Sequence, residues 1–314
     1  MKTQPLGSRG PDLSVIGFGA WEAGGTHWGP NPSEEVVIQA MRTAIDAGIT
    51  WIDTAEVYGD GVSEVLVGRA VTGRRDDVLI ATKVAPAPEG TGFAPAEVRK
   101  ACEASLARLE VDRIDLYQLH WPDEQGVPIE ETWSAMADLL DAGLVGAIGV
   151  SNFDRELIER CEALRHVDSL QPEFSMLNLE HRELIRWCGE RGIGVVSYGP
   201  LAFGVLTGAV TAETVFGEGD WRGGAWWEAE EFGPEELARR LEVVDALRPI
   251  ADRVGCTLAQ LALAWNWHQP GVTSAIAGSR NAGHVRANAA AGDIVLDEVT
   301  LEELDALLAG RPER

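Results

Sequence analysis

The chain has 314 residues, of which 45% are hydrophobic and 24% are charged, and these proportions exclude a disordered, collagen-like or coiled-coil protein. Acidic residues outnumber basic residues by 50 to 26, which gives a formal net charge of −24 at pH 7. Because nucleic acids and anionic membranes are bound mainly through Lys and Arg, this balance argues against both as partners. The length fits two average domains or a single α/β barrel of ~250 residues.

Neither a targeting segment nor a metal site is predicted. Residues 1–10 lack the apolar run of a signal peptide, and no stretch of ~18 apolar residues occurs in the sequence. The cysteines are widely spaced, without a Cys-x-x-Cys or His-x-x-x-His pattern, which gives no support to a disulfide framework or a zinc site. The chain is therefore predicted to be a cytoplasmic protein without metal.

From residue 15 onwards, short apolar runs alternate with amphipathic segments. Most runs are continuous rather than alternating, as expected for parallel strands covered by helices. Strands are predicted at 15–19, 50–53, 78–82, 114–119, 145–150, 169–173, 194–197 and 273–277. Helices are predicted between them, the first capped by Ser33 and closed by Gly48, the others at 62–71, 95–109, 128–142, 154–164, 181–191, 234–254 and 281–290, with a last helix at 296–308.

Eight strands, each followed by a helix, predict a (β/α)8 TIM barrel that forms one domain over residues 1–314. The alternative, a doubly wound sheet, usually needs Gly-x-Gly-x-x-Gly after its first strand, and the third glycine is missing after Gly17 and Gly19. A long loop at 201–233 follows strand seven and contains Trp221, Trp226 and Trp227. Long loops in compact domains are usually functional or disordered, and the aromatic content here favours a lid over a site.

Four ionisable residues fall at neighbouring strand ends, where barrels carry their catalytic groups. Strands two, three and four end at Asp53, Lys83 and His120, and Tyr58 follows Asp53 closely. Each residue has a structural alternative, because Asp53 can cap a turn, Tyr58 can lie in the core and His120 can be a buried structural histidine. Lys83 is harder to explain in this way, since a lysine is seldom buried without a partner. The clustering therefore favours an active site.

These groups suit proton transfer to a carbonyl oxygen. A buried ammonium lowers the pKa of a nearby phenol, so Lys83 is expected to lower the pKa of Tyr58 while Asp53 keeps the lysine charged. Tyr58 then acts as a general acid, and His120 orients or polarises the carbonyl. A carbonyl group that receives hydride on one face and a proton on its oxygen is the reaction that this set fits.

The Asp53-x₄-Tyr58 spacing, Lys83 and His120 resemble the catalytic tetrad of the aldo-keto reductases. The resemblance covers nearly the whole chain and continues in Gly149-Val-Ser-Asn-Phe153, Gln171-Pro-Glu-Phe-Ser-Met-Leu-Asn178, the segment from Ser197 to Gly208, and Ile276-Ala-Gly-Ser-Arg280. Each motif alone is a weak signal, but their order and spacing are highly specific. The resemblance implies a barrel that binds extended NADPH without a Rossmann fingerprint.

The resemblance also implies a set of cofactor-binding residues. These are Ser151, Asn152 and Gln171 for the nicotinamide carboxamide, Tyr198 for the nicotinamide ring, Leu201 and Gly204 for the pyrophosphate, Gly278, Ser279 and Arg280 for the phosphate on the adenosine ribose, and His284 and Asn288 for the rest of the adenosine end. The start of a helix after Arg280 favours an anion in any case.

Three positions depart from the family pattern. Gly199 replaces the usual serine near the cofactor, His284 stands where glutamine is common, and Ala287 replaces a glutamate beside the adenine contact. NADPH is the predicted cofactor, with NADH as the alternative.

The predicted reaction is the NADPH-dependent reduction of an aldehyde or ketone, with Trp21, Trp28 and Trp121 as walls of the substrate pocket. One alternative is a barrel that binds NADPH as a regulatory or sensor subunit with little turnover. Another is a glycoside hydrolase, which needs two carboxylates at strand ends. Only Asp53 and, less well placed, Glu173 are candidates for that pair.

Overall fold

The computed structural model describes residues 1–87, 92–123, 126–224 and 231–309, and ten strands lie in these ranges. The first two, β1 (Thr3–Pro5) and β2 (Asp12–Ser14), form an antiparallel hairpin. The other eight pair in parallel and close a barrel: β3 (Ile16–Gly19), β4 (Trp51–Asp53), β5 (Leu79–Val84), β6 (Leu116–Leu119), β7 (Ile148–Ser151), β8 (Ser169–Gln171), β9 (Gly194–Ser197) and β10 (Val272–Ile276). The predicted TIM barrel and its eight strands are confirmed.

The barrel strands are almost wholly buried, which explains why their sequences read as continuous apolar runs. Small boundary differences matter for the site. Strand β5 continues two residues beyond its predicted end, so Lys83 lies within the strand. The parallel pairing of β5 with β6, in which Lys83 is opposite Gln118, fixes the backbone of Lys83. Strand β8 ends at Gln171, so Glu173 lies beyond the strand rather than in it.

The hairpin of β1 and β2 closes the amino-terminal end of the barrel and is absent from the predicted elements. Leu6 and Leu13 are buried in a small apolar cluster with side chains near the strand starts, including Trp51 and Leu116. Each hairpin strand has only three residues, too few for a period-two pattern to be recognised. Closure at this end leaves the opposite end, where the strands finish, for the site.

In the described part of the chain, ten α-helices accompany the barrel: α1 (Glu34–Asp46), α2 (Val62–Val71), α3 (Pro95–Leu109), α4 (Ile129–Asp141), α5 (Arg155–Glu162), α6 (Arg182–Glu190), α7 (Pro234–Val254), α8 (Leu258–Trp267), α9 (Ala282–Ala290) and α10 (Glu298–Ala309). All nine predicted helices are present. Helix α8 was not predicted; a capping box of Thr257 and Gln260 opens it, and it packs against β10. No helix in these ranges is long and apolar enough to span a membrane.

The long connection after β9 lies partly across the carboxyl end of the barrel. It contains short 3₁₀ turns at Ala202–Thr207 and Trp221–Gly223, and Trp28 and Asp220 form an antiparallel bridge between it and the loop after β3. Trp221 is buried, whereas Trp226 and Trp227 lie outside the described residues. The two loops together cover one side of the mouth of the barrel.

Candidate active site

Asp53, Tyr58, Lys83 and His120 come together at the carboxyl end of the barrel, as the sequence predicted. The Lys83 ammonium, which is fully buried, donates to Asp53 Oδ1 at 2.6 Å and to the Thr54 carbonyl at 2.9 Å. Its Nζ also lies 3.4 Å from the Tyr58 Oη, and the Tyr58 and His120 rings are 5.6 Å apart. A phenol, an imidazole and a buried ion pair therefore face one small volume.

The expected lowering of the Tyr58 pKa is wrong. Burial raises the pKa of the Tyr58 phenol well above its usual value of 10.0, and the negative charge of Asp53 raises it further. Asp53 is in direct contact with Lys83 and offsets the ammonium charge, so desolvation of the phenolate is the larger effect. Tyr58 is therefore a neutral phenol, which is the form that can give up a proton.

His120 is held neutral. Burial, together with the Lys83 charge, keeps the pKa of His120 well below its usual value of 6.5. Its Nδ1 is buried and has no hydrogen-bond partner among the described residues. A neutral imidazole carries one N–H donor, so His120 can donate to an oxygen without adding a second positive charge beside Lys83.

A second buried carboxylate, that of Glu64, helps to keep Lys83 positively charged. Burial lowers the pKa of Lys83 below its usual value, while Asp53 and then Glu64 act in the opposite direction. Glu64 is fully buried and accepts hydrogen bonds from Thr82 Oγ1 and Arg108 Nε, both at 2.6 Å. Burying an ammonium is costly unless it is paired, and here one carboxylate pairs it directly and another contributes at longer range.

The three residues predicted to hold a carboxamide form a hydrogen-bonded chain that reaches Asp53. Ser151 Oγ donates to the Gln171 carbonyl at 2.9 Å, and Gln171 Nε2 donates to Asp53 Oδ2 at 2.9 Å. Asn152 has a left-handed backbone (φ 59°), and its Nδ2 donates to the His120 carbonyl at 3.1 Å. The structure therefore joins the candidate carboxamide-binding residues and the tetrad in one network.

Tyr198 and the turn after it lie next to this network. The Tyr198 hydroxyl donates to Asn152 Oδ1 at 3.1 Å, and its ring remains partly accessible. Beyond Leu201, the residues Ala202, Phe203 and Gly204 all have positive φ. The amides of Ala202 and Gly204 donate to the Gly199 and Leu201 carbonyls, so Leu201 and Gly204 remain candidates for a pyrophosphate contact by position alone.

The residues predicted for the adenosine end lie at the start of α9. Gly278 must be glycine, because a Cβ there would meet the Gly19 carbonyl at 2.4 Å. Ser279 Oγ accepts from the Asn281 amide, and Asn281 caps α9 by accepting from the His284 amide. His284 is exposed and Asn288, one turn further, is buried, so both remain candidates by position alone.

Arg280, the predicted phosphate ligand, is already bound to protein groups. Its guanidinium donates to the Trp28 carbonyl at 2.8 Å and to Asn31 Oδ1 at 3.1 Å, and its Nε lies 3.4 Å from a Glu22 carboxylate oxygen. The prediction included neither Glu22 nor these loop acceptors. The signal available in the sequence was a carboxylate directly after Trp21 in a strand-end loop.

The predicted pocket walls fall on two sides of the tetrad. Trp21 lies 5.0 Å from Trp28 and 6.3 Å from Tyr58, as ring centroids, whereas Trp121 lies 4.6 Å from His120. Trp221, from the long connection, stacks 6.0 Å from Trp21. An aromatic surface thus approaches the reacting groups from two directions, and Trp221 belongs to it although it was predicted only as part of a lid.

The glycoside hydrolase alternative loses its main candidate. Asp53 is buried, and its two oxygens accept hydrogen bonds from Lys83 and Gln171, so its carboxylate forms a buried ion pair instead of facing an open cleft. Glu173, the other candidate, is buried beyond the end of β8. Two-carboxylate catalysis needs a pair of carboxyl groups on either side of the glycosidic bond, whereas the groups that meet here are a phenol, an imidazole and a lysine–carboxylate pair.

Comparisons with known proteins point to the aldo-keto reductases, the family that the sequence motifs resemble. Aldo-keto reductase YhdN of Bacillus subtilis is 38% identical over 91% of this chain and 87% of its own length. The NADH-specific methylglyoxal reductase of Escherichia coli is 32% identical, with 95% of each chain covered. A probable voltage-gated potassium channel subunit beta of Arabidopsis thaliana is also 32% identical, over 100% of this chain and 98% of its own.

The solved structures that resemble this chain belong to the same class of proteins as its relatives in sequence. The glycerol dehydrogenase of Gluconobacter oxydans superposes with a TM-score of 0.87 at 30% identity, covering 99% of this chain and 97% of the other. An aldo-keto reductase of Klebsiella pneumoniae in complex with NADPH gives 0.75 at 32% identity, covering 100% and 97%. The model of the aldo/keto reductase family matches residues 15–309. The chain therefore belongs to the aldo/keto reductase family.

Proposed function

We propose that this protein uses NADPH to reduce an aldehyde or ketone to an alcohol, with Tyr58 as the proton donor. The observation that carries the proposal is the fully buried Lys83, whose Nζ lies 2.6 Å from Asp53 and 3.4 Å from the Tyr58 hydroxyl, beside a neutral His120. A structural role for any one of these residues would not require the other three to lie beside it. Family membership supports the same chemistry.

The four side chains divide the work. Tyr58 is protonated and donates its proton to the carbonyl oxygen as that oxygen becomes an alkoxide. Lys83 donates to the phenol oxygen and stabilises the phenolate that remains, and Asp53 fixes the lysine in position. His120 donates an N–H to the same carbonyl oxygen and sets its orientation. When bound, the nicotinamide supplies the hydride.

The residues present fit such a cofactor by the chemistry of their donors. At one end, the hydroxyl and amide side chains of Ser151, Asn152 and Gln171 suit a carboxamide, with the partly accessible Tyr198 ring beside them. At the other end, the guanidinium of Arg280, which lies just before α9, suits a phosphate. The Klebsiella pneumoniae relative is described with NADPH, which supports this choice, and the Escherichia coli relative is named as NADH-specific.

The substrate side of the site favours a small carbonyl compound with an apolar or aromatic portion. Trp21 and Trp28 pack on one side of Tyr58, and Trp121, which is 40% exposed, lies on the other beside His120. Large aromatic side chains gain most from covering apolar surface.

A regulatory or sensor barrel is the second candidate, since one relative is named as a potassium channel subunit. Both candidates bind NADPH, so turnover separates them. Purified protein is titrated with NADPH while tryptophan fluorescence is followed, and NADPH oxidation is then measured with a panel of aldehydes and ketones that includes methylglyoxal and an aromatic aldehyde. Oxidation that depends on the carbonyl compound supports the reductase. Tight NADPH binding without oxidation by any member of the panel identifies the sensor, and failure to bind either nicotinamide cofactor refutes both.

A further inference from the structure

The guanidinium of Arg280 is held by four acceptors from the loop after β3. Nη2 donates to the Trp28 carbonyl at 2.8 Å, Nη1 donates to Asn31 Oδ1 at 3.1 Å and to the Pro30 carbonyl at 3.3 Å, and Nε lies 3.4 Å from Glu22 Oε2. Glu22 is the one charged member of this set. The Arg280 side chain is only 19% exposed, so its guanidinium is largely shielded from solvent.

Glu22 lies where an anion bound at this end of the site would be expected. It stands beside the guanidinium and the backbone amide of Arg280, and Arg222 and His284 are the other positive or titratable groups that face it. Burial raises the pKa of the Glu22 carboxyl above its usual value of 4.5, against the effect of these neighbours. A cavity of about 540 Å³ opens at the same place, lined by Glu22, Asn31, Ser279, Arg280, Asn281 and His284.

We propose that Glu22 is a residue that determines cofactor specificity, because its carboxylate contacts the Arg280 guanidinium that would bind the adenosine 2′-phosphate of NADPH. This inference depends on the proposed function, since it assigns the adenosine end of the cofactor to the start of α9. It predicts that NADPH must displace Glu22 from Arg280, whereas NADH has no such phosphate and leaves the pair intact. The preference of this chain for NADPH over NADH is therefore smaller than it would be if Arg280 were present without the Glu22 carboxylate.

The chemistry of the two cofactors gives the direction of the effect. A carboxylate and a phosphate compete for the same guanidinium and repel each other when both are close to it. A carboxylate near a ribose that carries free hydroxyls can accept hydrogen bonds from them, as acidic residues do in other NAD sites. Glu22 is therefore unfavourable to NADPH and neutral or favourable to NADH.

The test is the substitution Glu22→Gln, which keeps the size of the side chain and removes its charge. Dissociation constants of NADP⁺ and NAD⁺, and of the fragments 2′,5′-ADP and 5′-AMP, are measured by titration calorimetry, so the readout is binding rather than turnover. The Glu22–Arg280 pair is partly exposed, with side-chain exposures of 25% and 19%, so solvent weakens it and a moderate effect is expected. We expect NADP⁺ and 2′,5′-ADP to bind about 10-fold more tightly, and NAD⁺ and 5′-AMP to change less than about 3-fold.

The matched control is Glu35→Gln, which removes one negative charge at the exposed start of α1, away from Arg280. It is expected to leave all four constants unchanged, so that a general effect of net charge is excluded. Thermal unfolding of both variants checks that they fold. Equal changes for the phosphorylated and unphosphorylated ligands, no change in either, or weaker NADP⁺ binding by Glu22→Gln each overturn the inference while leaving the proposed function in place. Absence of binding of all four ligands to the wild-type protein refutes the proposed function itself.

Discussion

Replacing Tyr58 by Phe is expected to abolish most carbonyl reduction while leaving the protein folded and able to bind NADPH. The substitution removes a single oxygen atom and keeps the ring that packs 5.6 Å from His120 and 6.3 Å from Trp21. The hydroxyl receives only a long contact, 3.4 Å from Lys83 Nζ, so its loss costs the fold at most ~1 kcal/mol. General acid catalysis supplies ~10²–10⁴-fold in rate, or ~2.7–5.5 kcal/mol of the activation barrier.

The assay compares kcat for NADPH oxidation with the NADPH dissociation constant from tryptophan fluorescence. Tyr117→Phe is the control, because it removes the same atom from a buried tyrosine on β6, whose hydroxyl has no partner among the described residues. That control is expected to keep its activity and to be as stable as the wild type or slightly more so. If Tyr58→Phe retains more than about a tenth of the wild-type kcat, another group supplies the proton and the assignment of Tyr58 is wrong.

Three further outcomes are expected. Lys83→Met should change the shape of the pH profile of reduction as well as its height, because Asp53 then raises the pKa of Tyr58 without opposition, and a profile that only scales would contradict this role. Arg280→Ala should weaken NADP⁺ binding by ~10- to 100-fold in titrations and NAD⁺ binding little. Arg286 is exposed on α9, and the double variant with Arg286→Ala tests whether this second arginine shares the phosphate. Because the pKa of His120 lies well below 6.5, titration of His120 should not change the rate of reduction near pH 6.5. If the wild-type rate does change near pH 6.5 and His120→Gln removes that change, then His120 becomes charged in the working enzyme.

The barrel was predictable because its information is local and repeated. Each strand is buried on both faces and each helix on one, so apolar runs and amphipathic segments alternate along the chain. Helix α8 lacks this contrast, since eight of its ten residues, from Leu258 to Trp267, are buried, and an all-round apolar helix resembles a buried strand in sequence. The β1–β2 hairpin was missed for the opposite reason, because three-residue strands carry too little pattern.

The tetrad was predictable because the fold fixes where strand ends lie. Asp53, Lys83 and His120 each end an apolar run, and parallel strands in a barrel finish at one face. The pKa of Tyr58 was not predictable in this way. Its sign depends on whether burial or the Lys83 charge has the larger effect, and that comparison requires distances and solvent exposure that spacing along the chain does not contain.

The distinction between strand residues and loop residues also separates the part of the site proposed to carry out the reaction from the part proposed to select the cofactor and substrate. Asp53 and Lys83 project from the paired strands β4 and β5, and Ser151 and Gln171 from the paired strands β7 and β8. The spacing of these strands is set by backbone hydrogen bonds, and side chains on rigid elements are held more accurately than side chains on loops. Glu22, Trp28 and Trp221 come instead from the loops after β3 and β9. Loops tolerate substitution and insertion better than strands do, so cofactor preference and substrate shape can change without moving the Lys83–Asp53 ion pair. Relatives of this chain named for glycerol, methylglyoxal or a potassium channel are consistent with that division of roles.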